Sequence, residues 1–139
     1  MIDPELVARK AGLIEKDLIV LGEALKKQAT PQLDAPAQAL FERLLERMIG
    51  RMIDINFHLI TESGRPAPKD YHESFVELGR MSILEPTFAK HISVSAGLRN
   101  RIAHEYDEID PAKLLEAARD AVKDIPNYLK QVLEHTSST

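Results

Sequence analysis

Residues 99–106 bring together side chains suited to proton transfer and to anion binding. Within eight positions the chain places two guanidiniums, Arg99 and Arg101, the amide of Asn100, the imidazole of His104 and the phenol of Tyr106. An imidazole exchanges protons near neutral pH, and a guanidinium holds two oxygens of an anion in a fixed fork. The segment is therefore the candidate site.

Helical spacing decides which of these side chains can meet. Asn100 and His104 are four residues apart and share a helix face, and Arg101 is three residues from His104. Arg99 lies about 140° from His104 around a helix, and Tyr106 about 200°. One site can use all of them only if the helix loosens near His104 or a second subunit supplies some. The residues alone equally allow a solvated face, with His104 as a helix C-cap and Tyr106 anchoring a turn.

The composition excludes several kinds of chemistry. The chain has 139 residues, a net charge of −4 and no Cys, so disulfides, thiolate zinc sites and thiol nucleophiles are ruled out. No Gly-rich phosphate loop, His-Glu-x-x-His or Gly-x-Ser-x-Gly pattern occurs, and we expect neither metal nor cofactor. The acidity argues against a general nucleic-acid coat but allows a local basic site.

Length and hydropathy predict one domain over residues 1–139. No apolar run approaches the roughly 18 residues of a membrane span. The first residues lack a signal-peptide pattern, so we expect a cytoplasmic protein with no membrane association.

Apolar spacing and proline positions predict five helices and no sheet. The predicted fold is all-α, an antiparallel four- to five-helix bundle. The apolar residues of the second helix cover more than half of its circumference, so this helix is either central or also lies at a subunit interface, and we expect both. Gly97 is a weak point of the fourth helix, and Pro126 is expected to kink the fifth. The helices run from Asp3-Pro4 to near Ala29, from Pro36 (capped by Asp34 or Ala35) to about Ser63, from the Asp70 capping box through Met81, from Glu85-Pro86 toward His104, and onward from Asp110-Pro111.

Three arginines form a stripe on the second helix. Arg43, Arg47 and Arg51 are four residues apart and stack along one side. The simpler interpretation is a solvent-facing stripe paired with the flanking acids Glu42, Glu46 and Asp54. If this helix lines a dimer cleft, Arg47 or Arg51 becomes a candidate nucleic-acid contact, together with Arg101.

The run Leu98-Arg99-Asn100-Arg101-Ile102-Ala103-His104-Glu105-Tyr106-Asp107 resembles the signature of the HEPN superfamily and, within it, the HepT toxin branch. The segment from Ala39 to Arg47, the His58-Leu59 helix end and the stretch from Asp70 to Phe75 match that family in content and order. The resemblance covers about residues 5–134.

This resemblance implies a homodimeric, metal-independent ribonuclease that is encoded with a nucleotidyltransferase antitoxin of the MNT type. It places Arg99 and His104 at the catalytic positions, Asn100 at a supporting polar position, and Tyr106 at the tyrosine that the antitoxin modifies with AMP. RNA supplies its own nucleophile, the 2′-OH, so proton transfer and charge stabilisation suffice. In a dimer, one His104 would act as base and its mate as acid.

A second class of function stays open. The chain could be a non-catalytic helical partner, or substrate-binding subunit, of a nucleotidyltransferase. It has no Gly-Ser…Asp-x-Asp pattern of its own, so it is not that enzyme itself. The intact pair Arg99 and His104 favours the nuclease, since a structural subunit has no need of it.

Overall fold

The computed structural model describes residues 1–104 and 109–137, with His104 described by its backbone alone. Within these ranges the chain forms six α-helices and no strand. None of the helices there is long and apolar enough to cross a membrane. The helices are α1 (Pro4–Lys27), α2 (Ala35–Glu62), α3 (Tyr71–Arg80), α4 (Pro86–Ile92), α5 (Ser95–His104) and α6 (Pro111–Ser137).

Side-chain caps fix where the helices begin. Asp3, Asp34 and Asp70 accept backbone N–H bonds at the starts of α1, α2 and α3, and Asp110 does so for α6 at 3.0 Å from the amide of Ala112. Glu85 caps α4 through the amides of Thr87 and Phe88, and these two bonds lower the pKa of its carboxyl. The boundaries predicted from Asp and Pro positions are confirmed at all these starts.

One predicted helix is divided in two. Residues 86–104 were expected to form a single helix with its weak point at Gly97, but the chain turns at Ser93 and Val94. The Ser93 hydroxyl donates to the carbonyl of Lys90 at 2.6 Å and so competes for a helix acceptor. Tight bonds from the amides of Ala96 and Gly97 to the carbonyls of Ser93 and Val94 then start α5. The break therefore comes from a serine rather than from the glycine.

The second helix is central, as its two apolar stripes predict. It packs against α1, α3, α5 and α6, which together bury most of its apolar residues. Pro126 lies inside α6, at an exposed position, and the helix continues past it. The all-α bundle predicted from sequence is confirmed.

A buried polar network ties three helices together. The Tyr128 hydroxyl of α6 donates to Oδ1 of Asn56 at 2.6 Å and to the carbonyl of Met52 at 3.1 Å. Asn56 donates in turn to Ser74 Oγ at 3.1 Å, and Ser74 donates to the carbonyl of Tyr71 at 2.7 Å. Burial raises the pKa of Tyr128 well above its usual range, which keeps its hydroxyl a donor. The start of α3 is thus held to the core by hydrogen bonds.

Candidate active site

Helix α5 carries the candidate catalytic segment. Arg99, Asn100 and Arg101 lie in its middle and His104 is its last residue. The backbone is helical through position 104, so the helix does not loosen between Arg99 and His104, and these two positions stay about 140° apart around it. Tyr106 and the side chain of His104 lie outside the described residues.

Arg99 is half-buried and lies over an aromatic ring. Its guanidinium carbon is 5.5 Å from the centroid of the Tyr71 ring, within the range of a cation–π contact. The same ring meets Phe57 edge-on, with centroids 6.1 Å apart. Arg99 Nε is buried and has no hydrogen-bond partner among the residues described. Among the described residues, the Tyr71 ring is the partner that the guanidinium contacts.

A cleft of about 310 Å³ opens beside this arginine, and we call it the Gly50 cleft. Three elements form it: one face of α2, the first residue of α3 and the middle of α5. It is lined by Gly50, Ile53, Asp54, Phe57, Tyr71 and Arg99. The cleft therefore combines an apolar wall, two rings, a cation and a carboxylate.

Asn100 and Arg101 occupy other faces of α5 than Arg99 and are exposed. Arg101 borders a second, mostly apolar cavity of about 460 Å³ that also involves Leu98 and Lys113. The structure thus places the two arginines of the segment at different openings.

Two arginines of the stripe on α2 form ion pairs with a carboxylate of α1. Asp17 of α1 is buried, and its carboxylate lies 3.4 Å from Arg47 Nε and 3.0 Å from Arg51 Nη1. Asp54, expected as a partner of this stripe, instead contacts Lys10 of α1 at 3.2 Å. Arg47 and Arg51 therefore hold α1 against α2, and their candidate role in RNA binding stays a prediction.

Sequence reasoning missed three residues of this region. No functional role was predicted for Tyr71, Asp17 or Gly50. Asp17 had a signal, because it falls three residues after Ile14 and four before Leu21 on the apolar stripe of α1. Tyr71 had none, because its contact with Arg99 joins positions far apart in the chain.

The described residues contain no cluster of His, Asp or Glu that could hold a metal ion. The Gly50 cleft presents a guanidinium, a carboxylate and aromatic rings. These groups bind and orient a planar or anionic ligand.

An all-α bundle with this Arg-x-x-x-x-His helix has the architecture of HEPN toxins. The chain shares its fold with the solved tri-AMPylated Shewanella oneidensis HEPN toxin in complex with MNT antitoxin, at a TM-score of 0.83 and 17% identity, covering 91% of this chain and 96% of that one. A solved toxin–antitoxin with AMP-PNP gives a TM-score of 0.81 at 16% identity, covering 91% and 97%.

Sequence comparison specifies the family. The protein-family model described as ribonuclease HepT-like matches residues 29–132 of this chain. A relative, the tRNA nuclease HepT of Aphanizomenon flos-aquae, is 36% identical over 136 residues, which is 94% of this chain and 90% of that protein. The chain belongs to the ribonuclease HepT-like family, and the resemblance noted from its motif is confirmed.

Proposed function

We propose that this chain is a metal-independent endoribonuclease and the toxin of a toxin–antitoxin pair, acting in the cytoplasm. Membership of the ribonuclease HepT-like family supports the activity. The structural observation that carries the proposal is the placement of Arg99, held over Tyr71 at the edge of a cleft and on the same helix as Asn100 and His104.

The chemistry requires only groups that the motif contains. His104 accepts the proton of a ribose 2′-OH while O2′ attacks the adjacent phosphorus. The bond from phosphorus to O5′ breaks, and the departing O5′ takes a proton from an imidazolium. The products are a 2′,3′-cyclic phosphate and a 5′-hydroxyl, and a positioned acid or base contributes about 10²–10⁴-fold. Arg99 offsets the negative charge that builds on the phosphorane oxygens, with Asn100 as a supporting polar group.

Two copies of the chain would form the complete site. Since α5 is helical through position 104, Arg99 and His104 of one chain lie on different faces of that helix. A two-fold axis beside α5 would bring Arg99 of one copy near His104 of the other, and would let one His104 act as base and its mate as acid.

Control would come from an MNT-type nucleotidyltransferase antitoxin that attaches AMP to Tyr106. A solved relative of this fold is itself a tri-AMPylated toxin in complex with MNT antitoxin. Tyr106 lies two residues after His104, so the added phosphate and adenosine would repel and block RNA at the same site.

The deciding experiment compares expression of the wild-type chain with Arg99→Ala and His104→Ala, using Arg9→Ala, an exposed arginine of α1, as control. We expect that only the wild type and the control arrest growth. The purified wild-type protein should cleave RNA in the presence of EDTA and leave 2′,3′-cyclic phosphates. Dimers that pair a His104→Ala subunit with a wild-type subunit should lose most activity. Full cleavage by His104→Ala protein would contradict the proposal and favour the non-catalytic partner of a nucleotidyltransferase.

A further inference from the structure

The Gly50 cleft has the size and the wall chemistry of a binding site for a flat ring. Its α2 side presents Gly50, Ile53 and Phe57 at helical spacing, and its α3 side presents the ring of Tyr71, which is 39% exposed. Aromatic and apolar walls of this kind stack on nucleobases, as does the plane of a guanidinium.

Gly50 keeps the cleft open. A Cβ atom built on Gly50 would meet nothing within 4 Å, so no close approach of another chain segment requires a glycine there. Gly12 and Gly22 of α1 have equally open surroundings. What distinguishes Gly50 is that the free space in front of it is bounded by two rings and two charges.

The two charges differ in what they can bind. Arg99 can hold a phosphate, while Asp54 is an acceptor and suits an amino group. Asp54 Oδ2 lies 3.2 Å from Lys10, but an ionised carboxylate has about four acceptor sites, so capacity remains for a ligand. The Asp54 side chain is also 59% exposed. A nucleotide whose base carries an exocyclic amine satisfies the cation, the rings and the carboxylate together.

We propose that the Gly50 cleft binds the base of the ribonucleotide next to the scissile phosphate, with adenine, cytosine or guanine favoured over uracil by Asp54. The proposal rests on the ribonuclease function given above and adds a specificity site to it. Arg99 would then serve both the reacting phosphate and the base, because its guanidinium borders the cleft.

The test fills the cleft without disturbing the core. Gly50→Leu projects a side chain into the free space, and Gly22→Leu makes the same change on α1, away from the cleft. We expect Gly50→Leu to lower kcat/KM on RNA about tenfold or more, with a melting temperature at or above that of the wild type and an unchanged oligomeric mass, and Gly22→Leu to cleave like the wild type. Sequencing the cut ends of a random RNA pool should show that Asp54→Asn weakens the preference against uridine at one position beside the cut.

A binding measurement separates this proposal from the nuclease function. By NMR titration, AMP should bind the wild-type protein more tightly than UMP or ribose 5-phosphate, and Gly50→Leu should abolish that difference. If the wild type fails to cleave RNA but keeps this selectivity, the nuclease proposal fails and the base site stands. If RNA cleavage and base preference are unchanged in Gly50→Leu, the cleft proposal is overturned. It is overturned equally if Gly50→Leu dissociates the oligomer, since a second copy would then occupy the cleft.

Discussion

The guanidinium carbon of Arg99 lies 5.5 Å from the centroid of the Tyr71 ring, across the junction of α5 and α3. Tyr71 is the first residue of α3, and its carbonyl accepts a hydrogen bond from Ser74 Oγ. Ser74 belongs to the buried network that ends at Tyr128. The candidate catalytic cation therefore lies over the ring of a residue whose backbone is hydrogen-bonded to the core network.

The Tyr71 ring is predicted to position Arg99 for catalysis. Tyr71→Leu should lower kcat several-fold, because a cation–π contact worth about 0.5–2 kcal/mol is lost. Tyr71→Phe keeps the ring and should stay within about twofold of the wild type. The measurement is single-turnover RNA cleavage by the two variants, and equal rates for them would argue against a positioning role for the ring.

Tyr106 is predicted to be the point of control and dispensable for cleavage. Tyr106→Phe removes the phenol that would carry AMP, so the variant should cleave RNA but escape neutralisation when the antitoxin is expressed with it. Mass spectrometry should show AMP on the wild-type chain and not on the variant. A variant that the antitoxin still silences would remove Tyr106 from this role.

The buried hydroxyl of Tyr128 should contribute measurably to stability. Tyr128→Phe leaves the buried acceptor of Asn56 without its donor, and the free energy of unfolding should fall by about 1–3 kcal/mol. Urea unfolding measures this, with Tyr71→Phe as the matched control because that hydroxyl lies at the exposed start of α3. Equal stability of the two variants would show that the network adds little.

Two glycines should respond oppositely to the same substitution. A Cβ on Gly79 of α3 would lie 2.8 Å from the Cβ of Ala89 and 3.4 Å from the Cα of Pro86, so Gly79→Ala must push α4 away, at a cost of about 1–3 kcal/mol. Gly50→Ala meets nothing and should stabilise α2 by about 0.5–1 kcal/mol. Thermal melting of both variants checks the signs, and a stabilised Gly79→Ala protein would contradict the close packing of α3 on α4.

Acid should weaken the ion pairs of α3. Arg80, and then Arg65, lower the pKa of Glu77, whose carboxylate lies 2.9 Å from Arg80 and 2.6 Å from Arg65. A lowered folded-state pKa stabilises the protein above the ordinary Glu value of about 4.3, and this stabilisation is lost as the pH falls through the lowered pKa. Glu77→Gln should therefore be less stable than the wild type at pH 7, by up to about 1 kcal/mol.

The stability difference between the wild type and Glu77→Gln can be checked by changing the pH and the salt concentration. It should vanish near pH 2, where both chains carry an uncharged group at position 77, and shrink in 1 M salt, which screens exposed pairs. Chemical unfolding across the pH range gives the comparison. A difference that persists at pH 2 would mean that Glu77 acts through packing instead.

Local signals explain which parts of this fold were predictable. Asp and Pro caps and 3.6-residue spacing act within a turn or two, so the helix starts and the central place of α2 followed from sequence. The break at Ser93 was not predicted, because a single hydroxyl that competes for the Lys90 carbonyl leaves the apolar spacing of the sequence unchanged. The contacts of Tyr71 and Asp17 could not be predicted from the sequence, because they depend on how separate helices pack. The roles of Arg99, Asn100, His104 and Tyr106 stay predictions that the motif supports.

Asp17 also affects how ionic strength should act on RNA binding. Each phosphate that a single strand gives to a cationic side chain releases about 0.7 of a counterion, and this sets the slope of log K against log salt. Arg47 and Arg51 share the Asp17 carboxylate, so the three charges sum to +1. Even if RNA reaches α2, Arg47 and Arg51 together neutralise at most one phosphate, so they release the counterions of one phosphate instead of two. The salt dependence should therefore be shallow and governed mainly by the guanidiniums of α5, for which no ion pair occurs within residues 1–104 and 109–137.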